Sequence, residues 1–327
     1  MRTTKPLFAT LTLASMLALS ACGGSSDNAG NESSSNNGSA SQTSSETAST
    51  STTPTSSPTP EMKKELFGGG EHIFPDRRFV ALYGSPGTPS LGVLGEYDPA
   101  GAVKEAKRLA AEYQPYSKEP VQPAFEIITT VASSAPGADG DYSDEMEIKK
   151  LLPLIEEAEK NDVYVILDFQ PGRSDFPSQV KKYEELLKRP NVGLGIDPEW
   201  RLEPHQVHLE QIGSVTAVEV NQTLDYLAEL TKKNDLPQKL VVLHQFTLSM
   251  IQDRETIKTD RPELALTLHA DGHGTPELKK DTYRALLEDL DPKIYPSWKN
   301  FYDEDTPTMT PKQTYELENK PWVVTYQ

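Results

Sequence analysis

The chain has a single cysteine, Cys22, among its 327 residues, so it can form no internal disulfide and offers no thiolate cluster to a metal. Positive charge is also scarce: 32 Lys and Arg stand against 49 Asp and Glu, for a net charge of −17. Arg2 and Lys5 are the only charges ahead of Cys22, so residues 22–327 carry −19. That balance argues against nucleic acid and anionic surfaces as partners, and suits a surface that keeps the protein monomeric. Residues 23–61 contain no aromatic residue and no Val, Ile or Leu. Such a segment cannot bury enough apolar surface to fold and reads as a tether, with a reach on the order of 35 Å. Familiar catalytic loops are missing too. No glycine-rich phosphate loop follows the first β-rich run, and Ser85 in "YGSPG" lacks the spacing of a nucleophile elbow.

What is present begins at the N-terminus. Arg2 and Lys5 precede an apolar run, Leu7 to Leu19, which is too short to span a bilayer and reads as a secretory signal. The following "LSAC", Leu19 to Cys22, resembles the lipobox of bacterial lipoproteins. The resemblance implies that Cys22 is acylated and becomes the mature N-terminus, anchoring the chain on the extracytoplasmic face of the cell membrane. Each buried CH₂ of such an anchor contributes about 0.8 kcal/mol. The expected organisation is a signal peptide (1–21), a lipidated Cys22 with its tether (22–61) and one folded domain (62–327).

Within that domain, eight short β-rich runs alternate with amphipathic stretches. The runs are 79–83, 124–130, 163–169, 192–197, 239–246, 264–270, 293–298 and 322–326. Helices are predicted over 100–113, 144–160, 175–188, 214–234, 276–289 and 311–318, with a poor one near 249–257. Thr275-Pro276 and Thr310-Pro311 are N-cap and N1 pairs, and Gln313 completes a capping box with Thr310. Eight strands alternating with helices in this length predict an α/β fold, a single (β/α)₈ TIM-type barrel. The chain ends on the eighth strand, and segment 62–78 is expected to cover the missing last helix.

Barrel sites lie at the C-terminal strand ends, and residues two apart share a face. Val163, Val165, Leu167 and Phe169 then face the helices, while Tyr164, Ile166, Asp168 and Gln170 face the axis. By the same rule Asp197, Glu199, His244, His269, Asp271 and His273 turn inward, with Gly193 and Gly195 leaving room below the acids. Arg173 and Arg201 are expected to meet an anionic group or neutralise the acidic rim. "DGDYSDE", 139–145, lacks a calcium-loop spacing and reads as a cap for the next helix.

Crowded carboxylates raise the pKa of at least one, giving an acid beside an ionised partner, which is what glycosidic cleavage requires. At Asp197-Pro198-Glu199 the chain resembles glycoside hydrolases built on (β/α)₈ barrels, in whose chitinase-like and muramidase-like groups an Asp-x-Glu ends the fourth strand. The resemblance implies that Glu199 is the general acid and that Asp197 orients a substrate group, and it covers only the barrel pattern and this motif. "VGLGI" stands where chitinases carry a longer acidic signature. The expected catalytic set is Glu199, Asp197 and Asp168. The expected sugar-contacting set is Tyr83, Gln170, Trp200, His244, Gln245, His269, Asp271, Trp298 and Tyr326. No cofactor is required by this reading. The competing chemistry is a divalent metal on His269, Asp271 and His273, and a barrel that only binds a glycan or solute is a third class.

Overall fold

The computed structural model describes residues 65–327; Cys22 and its tether lie outside them. Eight parallel strands close on themselves: β1 (Arg78–Gly84), β2 (Val121–Ala132), β3 (Tyr164–Phe169), β4 (Val192–Ile196), β5 (Lys239–Gln245), β6 (Leu264–Ala270), β7 (Ile294–Asn300) and β8 (Val323–Tyr326). Closure is made by β1, which pairs with β2 on one side (Leu82 opposite Phe125) and β8 on the other (Leu82 opposite Tyr326). The fold is the expected (β/α)₈ barrel, and each of the eight β-rich runs forms one of its strands.

The helices follow their capping chemistry. α1 (Pro99–Tyr113) starts at Asp98, whose side chain accepts from Gly101 N at 2.7 Å, and Pro99 supplies the first helical residue. α2 is Ile148–Lys160, and α3 (Phe176–Lys182) and α4 (Glu184–Leu187) divide the predicted 175–188 helix at Tyr183. α5 (Ala217–Lys233) is capped by Thr216, α6 (Pro276–Leu287) by Thr275 and α7 (Pro311–Tyr315) by the Thr310–Gln313 box. The predicted helix near 249–257 does not form. Two 3₁₀ turns flank Ile251–Gln252, which pairs with Val215–Thr216 as a two-stranded ribbon at the mouth side of β4 and β5.

Two further expectations are corrected. Ser143–Glu145 is a short strand antiparallel to the end of β2, rather than a cap for α2. The segment before β1 plugs the bottom of the barrel instead of replacing a helix: Leu66, Ile73 and Phe74 join the inner core beneath Phe79 and Tyr164. It is tied down by Gln238, whose Oε1 accepts from Ile73 N at 2.8 Å and whose own N–H donates to Glu71 O. Beside β8, α1 and α7 meet directly. The Tyr113 and Tyr315 rings lie 4.6 Å apart and the Tyr113 hydroxyl reaches that of Tyr326 at 2.5 Å.

The predicted strand parity organises the core. Val165, Leu167 and Phe169 belong to the outer layer under the helices, with Val192, Leu194, Leu266 and Leu268. Tyr164, Ile166, Leu240, Val242 and Ala265 fill the axis. Each such aliphatic side chain contributes roughly 1.5–3 kcal/mol by burial. Above this apolar floor the inward positions become polar.

Candidate active site

At the C-terminal end of the barrel one histidine gathers the acids. His244, the second-last residue of β5, is fully buried; its Nδ1 lies 2.7 Å from Asp271 Oδ2 and its Nε2 2.9 Å from Glu126 Oε1. Asp168 Oδ1 is 3.7 Å from the same Nε2. Carboxylates only accept, so both ring nitrogens donate and the ring is an imidazolium. Burial alone would lower its pKa, but the Glu126 and Asp168 charges and the bond to Asp271 overcome this and hold it well above the ordinary value.

Around this centre the positions are set by parity. Asp168 takes a 2.9 Å bond from the Tyr83 hydroxyl of β1, and Gln170 Nε2 reaches that hydroxyl at 3.4 Å. Gly195 of β4 makes room for it: a Cβ there would meet Asp168 Oδ1 at 2.8 Å. Lys299 of β7 stands over the Tyr83 ring, 3.6 Å from its centroid, with Nζ 3.1 Å from Asp271 Oδ1. His269 is satisfied by two hydroxyls, Ser297 Oγ at 3.0 Å and Thr325 Oγ1 at 2.9 Å. Burial and the neighbouring His244 charge depress its pKa well below the usual range, so it is neutral.

Glu199 reaches the cluster by a different route from the one expected. The extended run stops at Ile196, and Pro198–Trp200 form a 3₁₀ turn that Asp197 caps, its Oδ1 accepting from Glu199 N at 3.2 Å. Asp197 is buried, whereas Glu199 is only partly so and sits on the open edge.

The charges then sort themselves by depth and neighbour. Burial pushes Asp168 up to about 6 and Asp197 well above the ordinary carboxyl value. Burial, with the Asp271 charge beside it, pushes Glu199 up to about 7. Asp271 goes the other way: burial opposes its ionisation, but Lys299 and His244 prevail and hold it below the usual range. Lys299 in turn keeps its proton, since Asp271, Asp197 and Glu126 outweigh its desolvation. Five carboxyls thus face two cations, and the raised pKa values of Asp168, Asp197 and Glu199 reduce the excess of negative charge.

No family model matches the chain, and none of the curated proteins does. The site is therefore read from its own geometry.

Two members were not anticipated, Glu126 and Lys299. Glu126 lies mid-strand in β2 between Ala124 and Ile128, and a lone charge in so apolar a run was the available signal. Lys299 lies one residue beyond the predicted end of its strand, which continues to Asn300. The same parity that turns Lys299 inward turns Trp298 outward. Trp298 is fully buried against Tyr283, its indole N–H bonded to Asn300 Oδ1, and does not reach the mouth. Tyr326 likewise faces outward to Tyr113. Gln245 holds the rim together, donating to Leu248 O and accepting from Arg254. Trp200 is partly exposed, its ring 5.3 Å from that of His208.

The expected His269, Asp271 and His273 metal set is not assembled. The strand ends at Ala270, His273 is exposed with its ring against Phe301, and both nitrogens of His269 already have partners. Among the described residues, the buried groups with metal-ligand spacing are instead Glu126, Asp168 and His244, and Asp197, His244 and Asp271. The rim arginines are engaged: Arg201 pairs with Glu219 at 3.0 Å, and Arg173 donates to Gln206 O while stacking on Tyr142.

Proposed function

We propose that the domain is a glycoside hydrolase-like barrel acting outside the cell on a cell-wall or extracellular glycan. The observation that carries this reading is Glu199: a carboxyl at the open edge of the mouth, held near pKa 7 beside the ionised Asp271. An acid poised near neutrality is suited to protonating a glycosidic leaving oxygen, and an ionised partner to supporting the cation-like centre that bond breaking creates. Asp197, whose side chain caps the turn carrying Glu199, would orient a substrate hydroxyl. Asp168 lies deeper and acts through Tyr83. Of the expected sugar contacts, Trp200 is partly open at the rim, whereas Tyr83 and Gln170 are buried, Tyr83 against Asp168.

Cys22 is proposed as the lipid attachment point, with the barrel as its monomeric cargo. Replacing Cys22 with Ala should release the protein into the medium and abolish labelling by a radioactive fatty acid; retention on the membrane with undiminished labelling contradicts the anchor. The catalytic reading is tested by incubating the full chain with purified cell-wall and exopolysaccharide glycans and measuring new reducing ends. Saturable release supports it. Binding of a glycan without release across the panel rejects hydrolysis and leaves a binding protein.

A further inference from the structure

Beneath the proposed acid–base pair, two carboxylate oxygens lack partners in a place where such atoms are costly. Glu126 Oε2 and Asp168 Oδ1 are buried and accept no hydrogen bond, although both residues are fully enclosed. Each residue's other oxygen is satisfied, Glu126 Oε1 by His244 and Asp168 Oδ2 by Tyr83. A buried unsatisfied polar atom costs about 1–3 kcal/mol, and more when it belongs to a charged group. Two of them, on the two carboxyls that approach His244 Nε2, call for a missing partner.

We propose that Glu126, Asp168 and His244 Nε2 form a binding site for a divalent first-row cation of the manganese or zinc class. Suitable ligand atoms of the three residues lie within 4.8 Å of one another, and all three side chains are buried. One imidazole nitrogen and two carboxylates suit such ions better than a purely oxygen-seeking cation. The remaining contacts have the form of a ligand histidine's support. His244 Nδ1 donates to Asp271 at 2.7 Å, the carboxylate–histidine arrangement that fixes a metal-binding ring and leaves its other nitrogen for the ion. The cation takes the place of the Nε2 proton, which leaves with solvent.

Two neighbours select this set over the other buried group at the mouth. Asp271 Oδ1 already has a cation, Lys299 Nζ at 3.1 Å, so the Asp197 side is neutralised within the protein. On the Asp168 side, Gly195 withholds the Cβ that would stand 2.8 Å from Oδ1. Asp139, Asp141 and Glu145 also cluster, but they are exposed or half-exposed and serve as the control. The proposal goes beyond the acid–base reading and does not depend on it.

The test uses the full chain, stripped with chelator and titrated calorimetrically with Mn²⁺ or Zn²⁺ alone. One cation per chain is expected, with binding weakened at least tenfold in Glu126→Gln and in Asp168→Asn and unchanged in Asp141→Asn. Glu199→Gln should keep the site while losing hydrolysis, which separates failure of this proposal from failure of the catalytic one. A second measurement does not depend on the buried variants folding: Mn²⁺ is added to the unaltered chain and its paramagnetic broadening followed on the histidine ring signals. Broadening centred on His244 supports the site. No retained cation, affinity indifferent to Glu126 and Asp168 in folded variants, or broadening centred on His208 or His273 overturns it.

Discussion

His244 Nδ1 lies 2.7 Å from Asp271 Oδ2 at the centre of the barrel mouth, and both side chains are buried. This pair, more than either resemblance in the sequence, decides what the cluster can do. It fixes one cation and one anion, and the raised carboxyls Asp168, Asp197 and Glu199 titrate in their presence.

Removing the imidazole should therefore be severe. His244→Ala leaves Glu126 and Asp271 buried without their shared partner, which costs about 3–5 kcal/mol by the behaviour of broken buried pairs. Denaturant unfolding of metal-free protein checks this. In metal-free wild-type protein the His244 ring should hold its proton to higher pH than a free imidazole, with a midpoint above the unfolded value of about 6.5 when followed by NMR. The sign follows: its stabilisation is complete below about 6.5 and is lost only as pH rises through the folded value.

Glu199 gives the same sign in a lower pH window. Its folded pKa, about 7, exceeds its unfolded one, so the folded state binds the proton more tightly and stability falls as pH rises between about 4 and 7. Glu199→Gln removes that loss. The variant should match the wild type near pH 4 and be more stable above pH 7, by on the order of 1–3 kcal/mol. Parallel melts across pH measure the gap; a gap that is constant with pH counts against a proton on Glu199.

Lys299 sets the point at which Glu199 lets go of that proton, since its charge lowers the Glu199 pKa. Lys299→Met should therefore shift the alkaline limb of the activity profile to higher pH. An alkaline limb that moves down, or does not move, would show that another group controls it.

Elsewhere the fold rests on pairs that the site does not use. Lys279 and Asp305 form an ion pair with both side chains buried, and Asp305 also accepts from Phe301 N and Gly274 N. Lys279 holds Lys299 O as well, so the pair ties the β6 and β7 loops together. Asp305→Ala should cost about 3–5 kcal/mol, measured by denaturant unfolding.

Much of this was legible in the residues. The eight strands and their inner and outer faces follow from alternation, which is why Asp168, Asp197, His244, His269 and Asp271 could be brought to one mouth. The rule failed where extended backbone ended. Pro198 turns the chain at Glu199, and Gly272 and Gly274 flank His273 after the strand stops at Ala270. It failed also where a strand was cut short, so that Trp298 was aimed at the mouth and Lys299 missed. The helix expected near 249–257 lost to ribbon pairing of Ile251 with Val215, a long-range contact with no local signature. The bottom plug was invisible for the same reason, since Ile73 and Phe74 are anchored through Gln238, far along the chain.

The central claim is that Glu199 donates the proton in glycan cleavage. The most direct measurement compares reducing-end release by wild type and Glu199→Gln on the glycan that the wild type cleaves, alongside binding of that glycan and unfolding. The account predicts a loss of roughly 10²–10⁴-fold in turnover, the range for a removed general acid, with binding and fold retained. Cleavage by folded Glu199→Gln at the wild-type rate would contradict it.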